Sequence, residues 1–383
     1  MQRAVAVVVG GGVVGASAAW HLARDGVETI LIDRQDRGHA TAAGAGILSP
    51  GTSLRPVPDY YPFAAAAVRY YPELIQSLVE VGETGTRYEV VGKLILAFTD
   101  EEADAIPDQL TLFERRRASG MPGLADVSVI ERLQAQSLFP GLGDVRAAVH
   151  VPEAARVDGD HLRKALVAAA KHHGATVRSG DVALNLEADA IRGVLVDGEP
   201  IAADAVIVAA GAWTDQLLAP LGFSTGVEPQ RGQIMHLTMP GVDTSRWPIL
   251  GGSGDQYILT FGPNRVVMGA TRETGSGFDV RMTAGGVRAV LDHALRVAPG
   301  LATGTVQEVR IGLRPVSPDG LPFLGPLPGY DNVFLATGHG PTGLQLGPYS
   351  GKVAARLVTG GPVESDLAPF AVDRGAATST IPA

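Results

Sequence analysis

The sequence of 383 residues contains no cysteine. This absence excludes disulfide bonds, thiolate metal ligands, a cysteine nucleophile and any cofactor attached through a cysteine sulfur. Long apolar runs are also missing, since no uninterrupted stretch reaches the roughly 18 residues that a membrane-spanning helix needs. Near the N terminus a cluster of glycines interrupts the apolar run that an export signal would require. The sequence therefore predicts a cytoplasmic protein, with peripheral membrane contact left open.

Long runs of like charge are missing as well. The chain carries 31 Lys and Arg against 40 Asp and Glu, a formal net charge of −9, and no run of like charge is longer than Arg115–Arg117. This pattern lacks the basic patch that nucleic-acid binding requires, so nucleic acid is excluded as a partner. Hydrophobic residues make up 45% and charged residues 19%, which is typical of a well-buried globule, and the length favours two lobes.

A strand, a glycine loop and a helix open the chain. Val5–Val9 is an apolar run typical of a strand buried on both faces. The motif G-x-G-x-x-G follows it, and Val13–Arg24 is predicted to form a helix. The glycines of this motif are Gly10, Gly12 and Gly15. Because 49 residues are glycine, such spacing arises by chance about once in a chain of this length, and it recurs at Gly338, Gly340 and Gly343.

The context of the first motif indicates its function. Thr29–Ile32 is predicted to be the next strand, and it ends on Asp33, 18 residues after Gly15. In such an arrangement the helix N terminus and the backbone amides bind a pyrophosphate, and the acid binds the ribose hydroxyls. An acid at this position disfavours NADP, whereas NAD and FAD both stay open on this motif alone.

The remaining strands predict two interleaved domains. Buried parallel strands are predicted near residues 5, 29, 175, 205 and 333. Alternating strands typical of an antiparallel sheet lie between them, at Glu89–Phe98, Gln233–Thr238, Tyr257–Phe261 and Arg265–Gly269. A nicotinamide domain would instead repeat βαβ units for about another hundred residues. We therefore predict an α/β fold with a discontinuous nucleotide-binding domain, residues 1–86, 146–227 and 310–383, and an antiparallel α+β domain, residues 87–145 and 228–309.

Six stretches then occur in a recognisable order between Val7 and Pro348. They are VVVGGGVVGASAAWHLARDG, TAAGAGILSP, VIVAAGAWT, YILT with VVMGAT, GLRPVSPDGLPFLGP and ATGHGPTGLQLGP. In these stretches the chain resembles the D-amino-acid oxidase family of FAD-dependent amine oxidoreductases, most closely the branch of glycine oxidases and bacterial D-amino-acid dehydrogenases. The resemblance implies a Rossmann-like FAD-binding domain with a parallel sheet, an antiparallel-sheet substrate domain, and non-covalently bound FAD.

The resemblance also implies a set of FAD-binding residues. Those expected along the pyrophosphate and the adenosine are Gly10, Gly12, Val13, Val14, Gly15, Asp33, Arg34 and Val182. Those expected along the path to the isoalloxazine are Ala40, Thr41, Ala45, Gly46 and Ile47, together with Gly211 and Gly312. Those expected at the flavin pyrimidine are Gly338, His339, Gly340, Pro341, Thr342, Gly343 and Leu344. The helix that starts there would stabilise a reduced, anionic flavin with its positive end.

The same resemblance places the substrate. Arg314 is the expected carboxylate-binding residue, because a guanidinium grips a carboxylate through two hydrogen bonds. Tyr257 is expected to support that carboxylate, and Arg231 to add a second polar contact. The structural alternatives are a salt bridge for Arg314, core packing for Tyr257 and a surface position for Arg231. Hydride transfer from the α-carbon to flavin N5 requires no side-chain base, so no catalytic acid or base is predicted.

The function predicted in this way is FAD-dependent oxidative deamination of D-amino acids, through an imine that hydrolyses to a 2-oxo acid and ammonia. Oxidation of glycine, sarcosine or a proline-like cyclic imino acid is the alternative on the same fold. Glycine oxidases carry a second arginine where this chain has Pro341, which favours a substrate with one carboxylate and a neutral side chain.

The electron acceptor is expected to be O₂ or a quinone or dye, no metal site is predicted, and an oligomer is left open. A non-catalytic nucleotide-binding protein is disfavoured, because Arg314 and Tyr257 are both present.

Overall fold

A computed structural model of the chain describes residues 4–252 and 256–374. The outer ends of the predicted FAD-binding domain, residues 1–3 and 375–383, lie outside the described residues, as do residues 253–255 of the predicted substrate domain.

The described residues form α-helices of 5 to 21 residues. In chain order they are α1 (Val13–Arg24), α2 (Tyr60–Glu80), α3 (Asp100–Asp104), α4 (Ile106–Ala118), α5 (Arg132–Leu138), α6 (Gly159–His172), α7 (Thr214–Leu218), α8 (Ala284–Val297) and α9 (Gly343–Thr359). Helix α1 has the predicted bounds.

The strands of the N-terminal half are β1 (Val5–Val9), β2 (Glu28–Asp33), β3 (Ile47–Leu48), β4 (Glu89–Val90), β5 (Lys93–Ala97), β6 (Ser128–Ile130), β7 (Ala147–Val151), β8 (Ala155–Arg156), β9 (Thr176–Ser179) and β10 (Val182–Glu187). Those that follow are β11 (Ala190–Val196), β12 (Glu199–Ala202), β13 (Ala205–Val208), β14 (Glu228–Thr238), β15 (Ile249–Gly252), β16 (Tyr257–Phe261), β17 (Arg265–Gly269), β18 (Thr305–Val316), β19 (Phe323–Leu327) and β20 (Tyr330–Thr337).

A six-stranded sheet forms one half of the molecule. Its order is β19-β20-β13-β1-β2-β9, and the pairings from β20 to β9 are all parallel. These are the five strands that the sequence predicts near residues 5, 29, 175, 205 and 333, so that prediction is confirmed. Helices α1, α2, α6 and α9 contribute to the core on one face, and a small antiparallel sheet of β10, β11 and β12 contributes to the core on the other.

An eight-stranded sheet forms the other half, in the order β18-β14-β17-β16-β15-β5-β7-β6. Its pairings are antiparallel apart from β15 with β5. One face packs on α8 through an apolar core that includes Leu94, Ile258 and Met268. The opposite face contacts the small residues Ala43 and Ala45, so the sheet covers the region between α1 and β3. The two halves together match the predicted combination of a parallel Rossmann-like sheet and an antiparallel sheet.

Two predicted domain boundaries fall close to or inside strands of the larger sheet. Strand β7 lies in the eight-stranded sheet, although residues 146–227 are predicted to belong to the FAD-binding domain. Strand β18 runs through the predicted boundary at 309/310, because it pairs with β14 along its length. The stretch Glu89–Phe98 also differs from a single strand or hairpin: Gly92, at φ +78°, separates β4 and β5 into different sheets. The division into two domains itself stays a prediction.

Helices α1 and α9 cross at very close range. A Cβ atom at Gly351 would lie 2.5 Å from the carbonyl oxygen of Val14, and one at Gly347 would lie 2.8 Å from Val13 Cγ1. Glycine is therefore required at this crossing, since any side chain would push the helices apart. The contact brings the N-terminal ends of both helices to the same edge of the parallel sheet.

No helix within 4–252 and 256–374 combines the length and the apolar character that crossing a bilayer requires.

Candidate active site

A cavity of about 990 Å³ lies between the parallel sheet and the eight-stranded sheet. Its walls come from the glycine loop, the segment between β2 and α2, the ends of β5, β15, β16 and β18, and the start of α9. Sites for small molecules commonly measure about 300–1,000 Å³. The cavity is therefore large enough for a dinucleotide together with a small substrate.

Most of the residues that the sequence predicts for the cofactor line this cavity. They are Gly10, Gly12, Val13, Val14, Asp33, Arg34, Ala40, Thr41, Ala45, Gly46, Ile47, Val182, Gly211, Gly312, His339, Gly340, Pro341, Thr342, Gly343 and Leu344. Gly15 and Gly338 are not among the lining residues. Gly15 serves packing instead, since a Cβ there would lie 1.9 Å from the carbonyl oxygen of Gly10.

The glycine loop leaves the start of α1 open to the cavity. Gly10 has a φ of +103°, and a Cβ on it would lie 2.4 Å from the carbonyl oxygen of Ala209. Gly12 is the N-cap residue, so no cap side chain covers the helix end, and the first turn holds no acidic residue. Thr41 Oγ1 accepts a hydrogen bond of 3.1 Å from the backbone nitrogen of Val13. Backbone N–H groups and the positive helix end together form a site suited to a pyrophosphate.

The acid at the end of β2 fixes the loop. Asp33 Oδ2 accepts a short hydrogen bond from the backbone nitrogen of Gly11, and Oδ1 accepts one of 2.6 Å from that of Gln35. Arg34 forms ion pairs of 2.8 Å with Asp36 and 3.0 Å with Asp181. Each carboxylate oxygen of Asp33 retains acceptor capacity. The end of β2 can thus hold ribose hydroxyls while it orders the loop.

Small residues between β2 and β3 allow β18 to pass close by. A Cβ at Gly312 would lie 2.8 Å from Ala43 Cβ and 3.4 Å from the Cα of Ala40. Gly46, at φ +78°, packs so tightly that a Cβ would lie 1.7 Å from the carbonyl oxygen of Val157. Larger residues here would fill the cavity or separate its walls.

The second glycine motif places another helix start at the cavity. Thr342 is the N-cap residue of α9 without a side-chain cap, and its hydroxyl donates to the carbonyl oxygen of His339 at 2.9 Å. The ring of His339 turns inward, where Nε2 lies 2.9 Å from Ser350 Oγ. Burial lowers the pKa of His339 to about 3, so the imidazole is neutral. Its backbone, rather than its ring, is the part suited to contact a ligand.

Arg314 lies on β18 with its guanidinium folded over the backbone of β14. A Cβ on Gly232 would lie 2.6 Å from both terminal nitrogens of the guanidinium. Arg314 Nη1 donates to the carbonyl oxygen of Thr271 at 3.0 Å and to Gln230 Oε1 at 3.5 Å. Arg314 and Gly232 both line the cavity. The glycine therefore provides the space that lets this cation lie flat on the sheet and face the cavity.

Tyr257 lines the same end of the cavity from the start of β16. Its hydroxyl oxygen lies 3.3 Å from where a Cβ on Gly269 would stand. Burial raises the pKa of Tyr257 to about 12, even though the nearby charges of Arg314 and Arg272 act in the opposite direction. The phenol is therefore a neutral hydrogen-bond donor. The structure brings Tyr257 and Arg314 together on one face of the sheet.

Arg231 is not brought to this cavity. Its guanidinium pairs with Glu273 at 2.6 Å and with Asp279 at 2.7 Å, and its side chain is only 10% exposed. The hydrogen bonds that Arg231 donates to Glu273 raise the pKa of Arg231 above its ordinary value. Side chains alternate along β14, so the neighbour of Gly232 faces away from Arg314. Arg231 is thus a structural cation, and it does not line the cavity in which the sequence predicts it to contact the substrate.

Lys93 lines the cavity although it lies in none of the six stretches that mark the family resemblance. Lys93 Nζ donates to Thr52 Oγ1 at 2.9 Å, and both residues line the cavity. Burial lowers the pKa of Lys93 to about 8, because the charged form loses solvent. A signal was present in EVVGKLILAF, where Lys93 and Ile95 alternate with Leu94 and Leu96, which are buried in the core beneath α8. The lysine interrupts an otherwise apolar strand, and this is the local signal that marks it.

Three features of the cavity itself suit FAD. Two helix starts without side-chain caps meet there, glycines replace the Cβ atoms that would fill the space, and an acid stands at the predicted ribose position. The described residues contain no cluster of His, Asp and Glu that could hold a metal ion.

Comparisons with known proteins agree with this geometry. The family described as FAD dependent oxidoreductase, DAO, matches residues 6–357. The crystal structure of iminodiacetate oxidase from Chelativorans sp. BNC1 has a TM-score of 0.92 and 42% identity, covering 96% of this chain and 98% of that chain. The structure of glycine oxidase from Geobacillus kaustophilus has a TM-score of 0.84 and 29% identity, covering 98% and 99%. D-amino acid dehydrogenase of Xylella fastidiosa is 29% identical over 94% of this chain and 92% of its own length. The chain belongs to the DAO family of FAD-dependent oxidoreductases.

Proposed function

We propose that this FAD-dependent oxidoreductase oxidises the carbon–nitrogen bond of a small amino acid whose carboxylate is bound by Arg314 and Tyr257. The observation that carries the proposal is the guanidinium of Arg314, folded over Gly232 and facing the cavity. A planar guanidinium and a phenol on one sheet face offer a carboxylate several charge-assisted or neutral hydrogen bonds. Bound at its carboxylate, the substrate would present its α-carbon to the middle of the cavity.

The reaction requires positioning more than acid–base catalysis. FAD, when bound, supplies the acceptor for a hydride. The α-carbon–hydrogen bond breaks with its electron pair, the nitrogen lone pair forms the C=N bond, and the nitrogen loses a proton to water. Hydrolysis of the imine then gives a 2-oxo acid and ammonia, or a primary amine when the nitrogen carries a second substituent. O₂ or a quinone would be the final acceptor of the two electrons.

The side chains near the proposed substrate site suit a reaction that depends on positioning more than on acid–base catalysis. Tyr257 and His339 stay neutral at physiological pH, so neither adds a charge beside the reacting bond. The amides at the start of α9, which no cap side chain covers, would stabilise negative charge on a bound flavin. Holding the substrate in one orientation is itself a large part of such catalysis.

Two substrate classes share this site. Glycine and N-substituted glycines are favoured by the similarity to iminodiacetate oxidase and glycine oxidase. D-amino acids, the class predicted from the sequence, are favoured by the similarity to D-amino acid dehydrogenase. Arg314 would bind the α-carboxylate of either class in the same way, so side-chain and nitrogen substituents decide between them.

Anaerobic reduction of the flavin tests the proposal. The purified holoenzyme is mixed with glycine, sarcosine, iminodiacetate, D-proline, and the D- and L-forms of alanine, and the flavin absorbance is followed. We expect at least one of these amino acids to bleach the flavin, while the L-form of alanine serves as the matched control for its D-form. A flavin that dithionite reduces but none of these compounds reduces would contradict the proposed function.

A further inference from the structure

The cavity is lined by a second cation besides Arg314, and both are partly buried. Within the described residues, the one hydrogen-bonding partner of Lys93 Nζ is Thr52 Oγ1, and no carboxylate lies within ion-pair distance. Thr52 Oγ1 in turn donates to the carbonyl oxygen of Ser49 at 3.0 Å, so its lone pairs face the lysine. Thr52 therefore orients the ammonium without neutralising it. A partly buried ammonium without a counter-ion is costly, and an anionic ligand that pairs with it would offset that cost.

The charges that line the described cavity are separated along its length. The carboxylates are Asp33, Asp36 and Asp181, and all three stand beside Arg34 at the end of β2 and the start of β10. The other charged side chains that line the described cavity are Arg55, Lys93, Arg272 and Arg314. Lys93 thus adds a positive charge away from these carboxylates, and such a charge attracts an anionic group of the occupant.

Lys93 and Arg314 lie on the same face of one sheet. The side chain of Lys93 leans over the neighbouring strand β15, because a Cβ on Gly251 would lie 3.1 Å from Lys93 Cε and 3.7 Å from Nζ. Leu250 pairs with Ile258, which places Gly251 beside Tyr257 in the antiparallel register. The ammonium thus points toward Tyr257, as the guanidinium of Arg314 does from the opposite side over Gly232.

The two cations stand too far apart to share one carboxylate. Strands β14 and β15, which lie under the two head groups, are three positions apart in the sheet, which is about 14 Å at about 4.8 Å per strand. The register places Gly251 level with Ile234, two residues from Gly232, so an offset of roughly 7 Å along the strands brings the separation to about 16 Å. An extended dicarboxylate with three atoms between its carboxyl carbons spans about 13 Å when a charge-assisted hydrogen bond at each end is included, and the flexible side chain of Lys93 can close the remaining distance.

We propose that Lys93, held by Thr52, binds a second carboxylate, so that the substrates of this enzyme are N-substituted glycines with an acidic group on the nitrogen substituent. The inference rests on the proposed function, since Arg314 must hold the first carboxylate. It also revises the expectation drawn from Pro341. The loop before α9 has Pro341 in place of a cation, and Lys93 on β5 supplies one instead. A substrate with two carboxylates therefore becomes the better match.

The test compares two glycines that differ in one carboxylate. Iminodiacetate carries a carboxymethyl group on nitrogen where sarcosine carries a methyl group. Anaerobic stopped-flow reduction of the holoenzyme gives the limiting rate and the apparent Kd for each. We expect iminodiacetate to be preferred over sarcosine, and this preference to fall about 30-fold or more in Lys93→Met, chiefly through the Kd. Lys93→Arg should retain most of it.

A surface lysine provides the matched control. Lys164 pairs with Asp160 on α6 and is 65% exposed, so Lys164→Met should preserve the native preference. Thr52→Val, which removes only the orienting hydroxyl, should reduce the preference by a smaller factor, and it keeps the test decisive if Lys93→Met fails to fold.

Binding without turnover gives an independent readout. Oxydiacetate and methoxyacetate are the unreactive ether analogues of the two substrates. In the native holoenzyme oxydiacetate should perturb the flavin spectrum at about 30-fold lower concentration than methoxyacetate. Equal affinities for oxydiacetate and methoxyacetate would overturn the inference, and so would an unchanged preference for iminodiacetate in Lys93→Met. If sarcosine or a D-amino acid still reduces the flavin in that case, the proposed function stands without the second carboxylate site. A flavin that no amino acid reduces would overturn the proposed function as well.

Discussion

Three glycines on the sheet face have the same task at the residue scale. A Cβ on Gly232, Gly251 or Gly269 would contact the polar end of Arg314, the side chain of Lys93 or the hydroxyl of Tyr257, respectively. Glycine gives these long side chains a flat surface on which to lie, so the polar groups face the cavity at a fixed height. The site therefore depends on residues that have no functional group of their own.

Gly232→Ala should separate substrate binding from cofactor binding. The added methyl would stand 2.6 Å from the terminal nitrogens of Arg314, so the guanidinium must move off its place on the sheet. Because misplacement of about 1 Å can reduce a rate about 100-fold, we expect substrate reduction of the flavin to slow by about 10- to 100-fold. FAD affinity, measured by fluorescence titration of the apoprotein, should stay native. A variant with native reduction kinetics would contradict this role of Gly232.

The affinity for oxydiacetate should fall above about pH 8. The pKa of Lys93 is lowered to about 8, so its charge is present below that pH and disappears as the pH rises through it. The neighbouring tyrosines do not titrate in this range, because burial raises the pKa of both Tyr60 and Tyr257 to about 12. Spectral titration from pH 6.5 to 9.5 measures the effect. In Lys93→Arg the affinity should instead be constant, and a parallel decline there would assign the effect elsewhere.

Site residues that lie in a specific motif could be predicted from the sequence. Arg314 lies in a specific stretch, and the structure places it at the cavity. The environment of Arg231 depends on Glu273 and Asp279, which the chain folds back more than 40 positions later, so no local pattern shows that its charge is matched. Lys93 belongs to no motif, and only the alternation of its strand marks it.

At the element scale, the crossing of α1 and α9 sets the position of both helix starts. Their close approach at Gly347 and Gly351 aligns the amides that would face the pyrophosphate with those that would face the flavin ring. The bounds of α1, β16 and β17 follow from local patterns and agree with prediction. Strand β18 was harder to predict, because its first half is exposed at the sheet edge and its pairing with β14 determines it.

Gly351→Ala should destabilise the holoenzyme although alanine favours helices. A Cβ there would lie 2.5 Å from the carbonyl oxygen of Val14, a backbone atom that cannot rotate away. Overpacking of this kind costs about 1–3 kcal/mol, which exceeds the gain of about 1 kcal/mol from helix propensity. We expect a lower Tm and weaker FAD binding, measured by thermal unfolding with flavin fluorescence.

Gly285→Ala is the control for that variant. Gly285 lies in α8, and a Cβ there would have no atom within 4 Å. The substitution should leave the Tm unchanged or raise it. Equal effects of the two substitutions would show that the α1–α9 crossing is not specially constrained.

At the scale of the whole molecule, a buried ion pair joins the two halves. Asp158 caps α6 on the dinucleotide side, and its Oδ2 accepts a short hydrogen bond from Arg265 on β17 of the larger sheet. Burial alone would raise the pKa of Asp158, but the hydrogen bond and charge of Arg265 outweigh it and hold the pKa well below its usual range. The cavity lies between the halves that this pair connects.

Asp158→Asn should lower the free energy of unfolding by about 3 kcal/mol at pH 7, since it leaves the charge of Arg265 partly buried and unmatched. The folded-state pKa is lowered, so the stabilisation is present above the unfolded pKa of about 3.9 and is lost as the pH falls below it. Denaturant unfolding at pH 7 and at pH 3 should therefore show a difference between native and variant that shrinks in acid. Asp160→Asn, which removes exposed pairs within α6, should cost less than about 1 kcal/mol.

The most direct test of the account is the apparent Kd of the reducing amino acid in Arg314→Leu, measured by anaerobic single-turnover reduction of a variant that holds its full complement of FAD. If Arg314 binds the carboxylate, this Kd should rise about 100-fold or more while the flavin spectrum of the ligand-free variant stays native, because the cation that receives the carboxylate is lost. A Kd within about threefold of the native value would contradict it.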